Sequence, residues 1–289
     1  MTRFVPALRR SRLLPVAVSA AAATLGAALL FGPGSATADQ AYKAVPAPPT
    51  VPTSADQIQN IDQVKTAIKG YYGDTLTTQV DPVSNDIDGA DKALHTFSPT
   101  GNYAAEMAGI VTDAEKYLTR PHGKGSHPTS SAKKAVLFDI DDTTLNTYNY
   151  EIYSNFVYNP TTNAAFVNAA AFPAVPHMVD LEHYAQSKGY EVFFLTGRPE
   201  SQRVGTITNL NNQGYTFNPA NVYLKDLASP ILAFCTPNCP TITYKSAYRA
   251  YIESLGYNIV ANFGDQYSDL TGGYADKTFK IPNPMYYLP

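Results

Sequence analysis

Three carboxylates stand within four positions directly after a short apolar run. Residues 135–138 are apolar, and Asp139, Asp141 and Asp142 follow them. A run of this length suits a strand that is buried on both faces. Asp139 and Asp141 point the same way on an extended backbone, and two such carboxylates repel each other unless a cation or a shared proton intervenes. The pattern predicts a site for a hard divalent cation such as Mg²⁺; a strand that ends in an acidic turn is the alternative.

A second polar cluster, Thr196-Gly197-Arg198-Pro199, follows the apolar residues 192–195. Pro199 suits the first position of a helix, so a hydroxyl and backbone N–H groups would converge where an anion could bind. The same residues also occur at ordinary strand–helix junctions. The cluster is therefore a candidate anion-binding site, with an ordinary strand–helix junction as the alternative.

Two further candidates lie later in the chain. Lys245 is predicted in the first turn of a helix, and its rival Lys225 is predicted to be a surface residue. Asp265 and Asp269 follow Gly264 after another apolar run. These two acids could supply a metal ligand, or they could cap a helix.

The elements that must position these residues alternate between strand and helix from residue 132 onward. Apolar runs predict strands at 135–140, 191–195, 222–224, 258–263 and 278–281. Helical spacing predicts helices near 146–156, 176–188, 199–211 and 244–255. This alternation predicts an α/β fold, a Rossmann-like parallel sheet with helices on both faces. Ligands of such sheets bind outside the carboxyl ends of the strands, where all four clusters fall.

The first 131 residues have a different organisation. Residues 39–53 are rich in Pro and Ala and predict a linker. Helices are predicted from Ser54, with Gln57 completing a capping box, to residue 69 before Gly70, and again over 103–118. The residues between these helices are predicted to be mostly loop, and 120–131 to be a second linker. Residues 54–131 would therefore form a helical extension of a domain spanning 132–289.

The charge distribution argues against a nucleic acid partner and indicates export. Residues 1–38 hold four Arg and no acid, which leaves 17 basic and 24 acidic residues in the remainder, a net charge of −7. A surface of that sign argues against a nucleic acid polymer as the partner. Arginines, an apolar stretch and the Ala36-Thr37-Ala38 site predict a secretory signal peptide cleaved after Ala38. An uncleaved membrane anchor and a twin-arginine signal are the alternatives.

Only two cysteines are present, Cys235 and Cys239. Two are too few for a structural zinc site, so in an exported protein they predict one disulfide across a small loop. A redox-active pair is the alternative.

The four clusters resemble, in order and spacing, the motifs of haloacid dehalogenase superfamily phosphatases. The similarity is greatest to the acid phosphatase branch, which includes bacterial class B and C enzymes and plant acid phosphatases with their vegetative storage relatives. It covers residues 132–289. The segments that carry it are FDIDDTTL (138–145), FLTGRPE (194–200), YKSAYR (244–249), GDQYSDL (264–270) and FKIPNPMYY (279–287).

The resemblance implies a role for each site residue. Asp139 would attack phosphorus, and Asp141 would protonate the leaving oxygen and then activate water. Asp139, the backbone carbonyl of Asp141 and Asp265 would hold Mg²⁺. The remaining roles that it implies are phosphate binding by Thr196, Gly197 and Lys245, support by Arg198, and orientation of Lys245 or a metal-bound water by Asp269.

Two segments depart from the branch or vary within it. Residues 225–243 fit no pattern of the branch, and the modest insert at 146–175 is expected to shape the cavity mouth without forming a cap domain. In that insert Tyr148, Tyr150 and Tyr153 could stack on an aromatic or sugar leaving group, with ordinary packing as the alternative.

The leading hypothesis is a secreted, Mg²⁺-dependent phosphomonoesterase that acts on small phosphate monoesters and has no stable membrane anchor. A non-catalytic storage or binding protein and a phosphotransferase are the alternatives. The sequence leaves the natural substrate and the oligomeric state open.

Overall fold

The computed structural model describes residues 53–54, 60–79, 81–83, 93–121 and 132–288. The predicted signal peptide, its cleavage site after Ala38 and nearly all of the first linker lie outside these residues, as do positions 122–131 of the second linker. Within the described ranges, no helix combines the length and the apolar character needed to cross a membrane.

A five-stranded parallel sheet forms the centre of the fold, as the alternation of elements predicts. The small antiparallel pair that precedes it is β1 (Thr75–Leu76) and β2 (His95–Thr96). The strands of the large sheet are β3 (Lys133–Phe138), β4 (Glu191–Pro199), β5 (Val222–Lys225), β6 (Tyr257–Gly264) and β7 (Lys277–Lys280). Their order is β5-β4-β3-β6-β7, and every neighbouring pair is parallel. The chain thus builds outward from β3 on one side and then on the other.

Alternate residues of the central strand β3 pack in two separate apolar cores. Val136 and Phe138 belong to the larger apolar cluster, whereas Ala135 and Leu137 belong to the second cluster on the opposite face. This alternation follows from the pleat of a strand, and it explains why the run is apolar at every position.

Helices cover both faces. In chain order they are α1 (Ile61–Tyr72), α2 (Asn102–Leu118), α3 (Tyr148–Tyr153), α4 (Pro160–Asn168), α5 (Met178–Ser187), α6 (Arg203–Asn212), α7 (Thr241–Ser254) and α8 (Tyr267–Leu270). Single 3₁₀ turns lie at Glu200–Gln202, Pro219–Asn221 and Pro230–Leu232.

Two helix predictions are wrong at their ends, one helix was not predicted, and Pro199 ends β4 instead of opening a helix. Helix α1 runs through Gly70 to Tyr72 and is capped by Gly73, which adopts the left-handed conformation (φ 67°) common after helices. Helix α7 begins at Thr241, so Lys245 lies in its second turn rather than its first. Helix α4 was not predicted, although Asn159 caps it and a proline occupies its first position, which is a recognisable start signal.

The N-terminal helices pack on the sheet as one body with it. Tyr72 of α1 and Tyr103 of α2 are fully buried and belong to the same apolar cluster as Phe138. The Tyr72 ring stacks on Tyr148 at a centroid distance of 4.5 Å. The hydroxyl of Tyr190 also donates to the Leu118 carbonyl (2.9 Å).

The predicted disulfide is present. Cys235 and Cys239 are bonded, with Cα atoms 4.9 Å apart. The bridge closes a small loop that leads into α7, the helix that carries Lys245.

Candidate active site

The carboxyl ends of β3, β4 and β6 meet above the sheet and line one cavity of about 460 Å³. The predicted site residues among its walls are Asp139, Asp141, Gly197, Arg198, Lys245, Asp265 and Asp269. Thr196 is fully buried beside them, with its hydroxyl 3.5 Å from the Asp141 carboxylate. The parallel topology therefore brings together clusters that are more than a hundred positions apart in sequence.

Lys245 joins two of the carboxylates. Its ammonium group donates to Asp139 and to Asp269, and all three side chains are buried. Burial raises the pKa of Asp139 well above its usual value, and the charge of Asp269 adds to this while Lys245 opposes it. Burial alone would lower the pKa of Lys245, but its two carboxylate partners raise it instead. Lys245 is thus held as a cation against Asp139.

Three buried carboxylates, Asp139, Asp265 and Asp269, have ligand oxygens within 4.8 Å of one another. Lys245 compensates one of their three charges, which leaves a deficit that suits a divalent cation. Both oxygens of Asp269 already accept protein hydrogen bonds, from Lys245 and from the Gln266 N–H (2.9 Å). Only neutral donors contact Asp265, whereas Lys245 already contacts Asp139 and Asp269, so Asp265 is the carboxylate with no cationic partner of its own among the described residues. Carboxylate oxygens of this kind suit Mg²⁺.

Amide donors fix the orientation of Asp265. Its Oδ2 accepts from the side chains of Gln266 (2.6 Å) and Asn283 (2.8 Å), and its Oδ1 accepts from Thr143 (3.3 Å). Burial, followed by the charge of Asp269, raises its pKa to about 8. The motif comparison did not single out Asn283 as a site residue, because nothing in the sequence shows which loop it reaches.

Arg198 holds Asp141. Its Nε lies 3.1 Å from both carboxylate oxygens and its Nη2 lies 2.7 Å from Oδ1, while Nη1 donates to Thr206 (3.0 Å). The guanidinium is almost fully buried, whereas 30% of the Asp141 side chain is exposed. Such a bidentate pair fixes the direction of the carboxylate.

Asp142, the third carboxylate of the motif, has a different environment. It is fully buried in the left-handed backbone region (φ 54°) and accepts hydrogen bonds from Thr147 and from the Tyr286 hydroxyl (2.7 Å). Burial raises its pKa to about 7. Asp142 therefore shapes the loop after β3, and it does not line the cavity.

Residues 283–288, here called the C-terminal strap, form one wall of the cavity. Asn283 donates to Asp265, Tyr286 donates to Asp142, and the Leu288 N–H donates to the side chain of Gln266 (2.9 Å). Tyr286, Tyr287 and Leu288 line the cavity. The strap thus connects the loops after β3 and β6.

The stacking role suggested for three tyrosines is wrong, and the packing alternative holds. Tyr148 and Tyr150 are fully buried, and neither lines the cavity. Tyr153 packs against Phe166 at 5.2 Å between ring centroids. The aromatic side chains that do line the cavity are Phe156, Tyr158, Tyr244, Tyr286 and Tyr287.

Lys225 also differs from its prediction as a surface residue. It is half-buried in the cavity wall, and its ammonium lies 5.1 Å from the centroid of the Tyr244 ring. The extended backbone of β5 carries it to the same edge of the sheet as the other clusters.

Gly264 is required for the position of Asp269. A Cβ at Gly264 would lie 2.4 Å from the Cβ of Asp269, a contact that side chains do not tolerate. We expect Gly264→Ala to displace Asp269, lower turnover by about 10- to 100-fold and cost about 1–3 kcal/mol of stability. The matched control is Gly70→Ala, where an added Cβ meets nothing within 4 Å and helix propensity favours alanine. Turnover assays and urea unfolding of both variants test this. Equal turnover and an equal free energy of unfolding in the two variants would contradict it.

The buried acids make the stability of the metal-free protein depend on pH. Burial raises the pKa of Glu151 and of Asp142 to about 7 and that of Asp265 to about 8. The folded state then binds more protons than the unfolded state, so the contribution of these three acids to stability is full near pH 4 and is lost as the pH rises to about 8. Urea unfolding in the presence of a chelator should show this fall, and Glu151→Gln should reduce it. Stability that rises over the same interval would exclude the assignment.

A parallel sheet with an acidic cation site and a buried lysine at its carboxyl edge defines a haloacid dehalogenase-like α/β protein. The family model of haloacid dehalogenase superfamily subfamily IIIB (acid phosphatase) matches residues 90–289. The chain belongs to this family.

The chain is also similar to plant proteins in sequence and to a solved bacterial structure in fold. The chain is 36% identical to the stem 28 kDa glycoprotein of Glycine max over 54% of its own length, and this match spans 61% of that protein. It is 34% identical to acid phosphatase 1 of Solanum lycopersicum, over 64% of this chain and 69% of that one. The class C acid phosphatase of Bacillus anthracis has the same fold, with a TM-score of 0.50 and 23% identity over 64% of this chain and 80% of that chain.

Proposed function

We propose that the protein is a secreted, Mg²⁺-dependent phosphomonoesterase that acts through an aspartyl-phosphate on Asp139. The observation that carries this is the position of Asp139 and Asp141, which leave the same strand end and line one cavity with Lys245. The family supports the reaction class, because its matching description is acid phosphatase.

The different exposure of the two carboxylates suits them to different roles. Asp139 is buried, and one of its oxygens accepts from Lys245, which leaves the other oxygen for attack on phosphorus. Asp141 has 30% of its side chain exposed and lines the cavity beside Asp139, with Arg198 fixing the direction of its carboxylate. Asp141 therefore donates a proton to the leaving oxygen and later accepts one from the water that attacks the intermediate.

The proposed reaction has two steps. In the first step, a bond forms between the Asp139 oxygen and phosphorus, and the bond from phosphorus to the alcohol oxygen breaks as Asp141 protonates that oxygen. In the second step, water attacks phosphorus, its proton passes to Asp141, and the aspartyl–phosphorus bond breaks to release phosphate. Lys245 and Gly197, which line the cavity with Asp139, would supply positive charge and a donor to the phosphoryl oxygens, and the buried Thr196 hydroxyl lies behind them beside Asp141.

Asp139, Asp265 and the backbone carbonyl of Asp141 would hold the cation. When bound, Mg²⁺ supplies charge neutralisation to the phosphoryl oxygens. Asp269 takes a positioning role, because it accepts from Lys245 on one oxygen and from the Gln266 N–H at the start of α8 on the other.

The test is phosphate release from phenyl phosphate by the purified protein with Mg²⁺, with a chelator, and with Mg²⁺ restored. We expect activity that disappears on chelation and returns with the cation, and no hydrolysis of a phosphodiester. No release between pH 4 and 9 by a folded protein would favour the storage or binding alternative. Transfer to an added alcohol at the expense of free phosphate would favour the phosphotransferase alternative.

Export is part of the same proposal. The supporting observations are the arginines, the apolar stretch and the small residues up to Ala38. N-terminal sequencing of the protein recovered from culture medium is expected to begin at Asp39. An intact Met1 on a cell-associated protein would contradict the proposal.

A further inference from the structure

Glu151 is a buried acid in the cavity that the proposed reaction does not use. It lies on α3, is only 6% exposed, and lines the cavity with Asp139 and Asp141. Among the described residues, none donates a hydrogen bond to its carboxylate or forms an ion pair with it. Because Glu151 lies in the cavity wall without a partner in the described part of the chain, a cationic ligand in the cavity could pair with its carboxylate.

The cations of the cavity are already engaged. Arg198 pairs with Asp141, and Lys245 pairs with Asp139 and Asp269. Lys225 lies over the Tyr244 ring. Glu151 therefore faces the cavity beside the like charge of Asp141, and both its burial and that charge raise its pKa.

Two aromatic residues that follow Glu151 in the chain line the same cavity. The Phe156 N–H donates to the Glu151 carbonyl (2.7 Å), so the two residues belong to one turn at the end of α3. Phe156 and the nearby Tyr158 line the cavity as well. A carboxylate combined with aromatic faces is a set of groups that binds ammonium ions, through an ion pair and cation–π contacts.

We propose that Glu151 is a specificity-determining residue that binds an ammonium group on the leaving group of the substrate. The substrates that fit are phosphate monoesters of small amino alcohols, with the phosphate at Asp139 and the ammonium at Glu151. This inference rests on the proposed function and names its substrate class.

An anionic leaving group directed to Lys225 is the competing arrangement. Lys225 is half-buried and keeps a cation–π contact, whereas Glu151 is nearly fully buried and has no partner among the described residues. The unmet demand for a partner is therefore greater at Glu151.

The test compares three phosphate esters of equal chain length. They are O-phosphoethanolamine with an ammonium group, 2-hydroxyethyl phosphate with a hydroxyl, and 2-phosphoglycolate with a carboxylate. We expect kcat/KM of the wild type to favour O-phosphoethanolamine over 2-hydroxyethyl phosphate by about 10- to 100-fold, the effect of one hydrogen-bonded charge.

The Glu151→Gln variant keeps the shape of the side chain and removes its charge. It should bring kcat/KM for the two substrates to within about threefold of each other, mainly by lowering the value for O-phosphoethanolamine. The matched control is Glu200→Gln, an acid that pairs with Arg203 outside the cavity, and it should retain the full preference.

Several outcomes would overturn the inference. These are no preference in the wild type, equal losses on all substrates in Glu151→Gln, or fastest turnover of 2-phosphoglycolate. Hydrolysis of phenyl phosphate alone would overturn the inference and leave the proposed function intact. If no ester is hydrolysed, the proposed function fails. Calorimetry then tests the role of Glu151 by itself, by comparing the affinities of O-phosphoethanolamine and 2-hydroxyethyl phosphate for the wild type and for Glu151→Gln. Equal affinities of the two compounds for the wild type would overturn the inference.

Discussion

Replacing Asp139 by asparagine is expected to abolish phosphate release, with a loss in kcat/KM of at least about 10⁴-fold. The physical reason is that an amide cannot attack phosphorus to give an acyl phosphate. The fold should persist, because an asparagine oxygen can still accept from Lys245, which keeps Asp269 as its second partner. The measurement is release of phosphate from phenyl phosphate at saturating Mg²⁺, with thermal unfolding of each variant.

Trapping of the intermediate makes this test specific. Acid quenching during turnover should leave phosphate on the wild type in a hydroxylamine-sensitive form and none on Asp139→Asn. The control is Asp180→Asn, an exposed acid at the start of α5, which should behave as the wild type. Substantial turnover or a trapped phosphoenzyme in Asp139→Asn would rule out Asp139 as the nucleophile.

Replacing Lys245 by methionine is expected to destabilise the metal-free protein by about 3–5 kcal/mol. Methionine fills a similar volume, so the loss comes from three buried carboxylates that no longer have a cation among them. Turnover should fall as well, because Lys245 is the cation against Asp139. Urea unfolding with a chelator measures the loss.

Two comparisons separate this effect from general damage. Lys225→Met alters the other cavity lysine, which makes no ion pair among the described residues, and should change stability by only about 0.5 kcal/mol. Added Mg²⁺ should recover part of the loss in Lys245→Met, because a second source of positive charge then reaches Asp139 and Asp265. A loss that is equal in the two lysine variants would show that charge compensation is not the role of Lys245.

The sheet and the edge where the motifs meet could be predicted because both follow from short-range pattern. Strands buried on both faces give continuous apolar runs, and parallel strands place all their carboxyl ends at one edge. Asp139, Thr196 and Asp265 each follow such a run. Their approach in space therefore required no knowledge of the loops.

The remainder of the site depends on loop paths that local sequence does not determine. Arg198 reaches Asp141 from the neighbouring strand, and the strap returns to β3 from the far end of the chain. The inward direction of Tyr148 and Tyr150 follows a loop in which Asp142 adopts a left-handed backbone. Tyrosine spacing alone cannot distinguish a ring in the core from a ring in the cavity.

The position of the C-terminal strap in the sequence also sets the order in which the site is completed during synthesis. A nascent chain that has been translated as far as Lys280 contains all five strands, Asp139 and Lys245, and can begin to fold from its N-terminal side. Such a chain still lacks the Asn283 amide that holds Asp265 and the Tyr286 hydroxyl that binds Asp142. The strap wall of the cavity is therefore added only after all five strands of the large sheet have been translated.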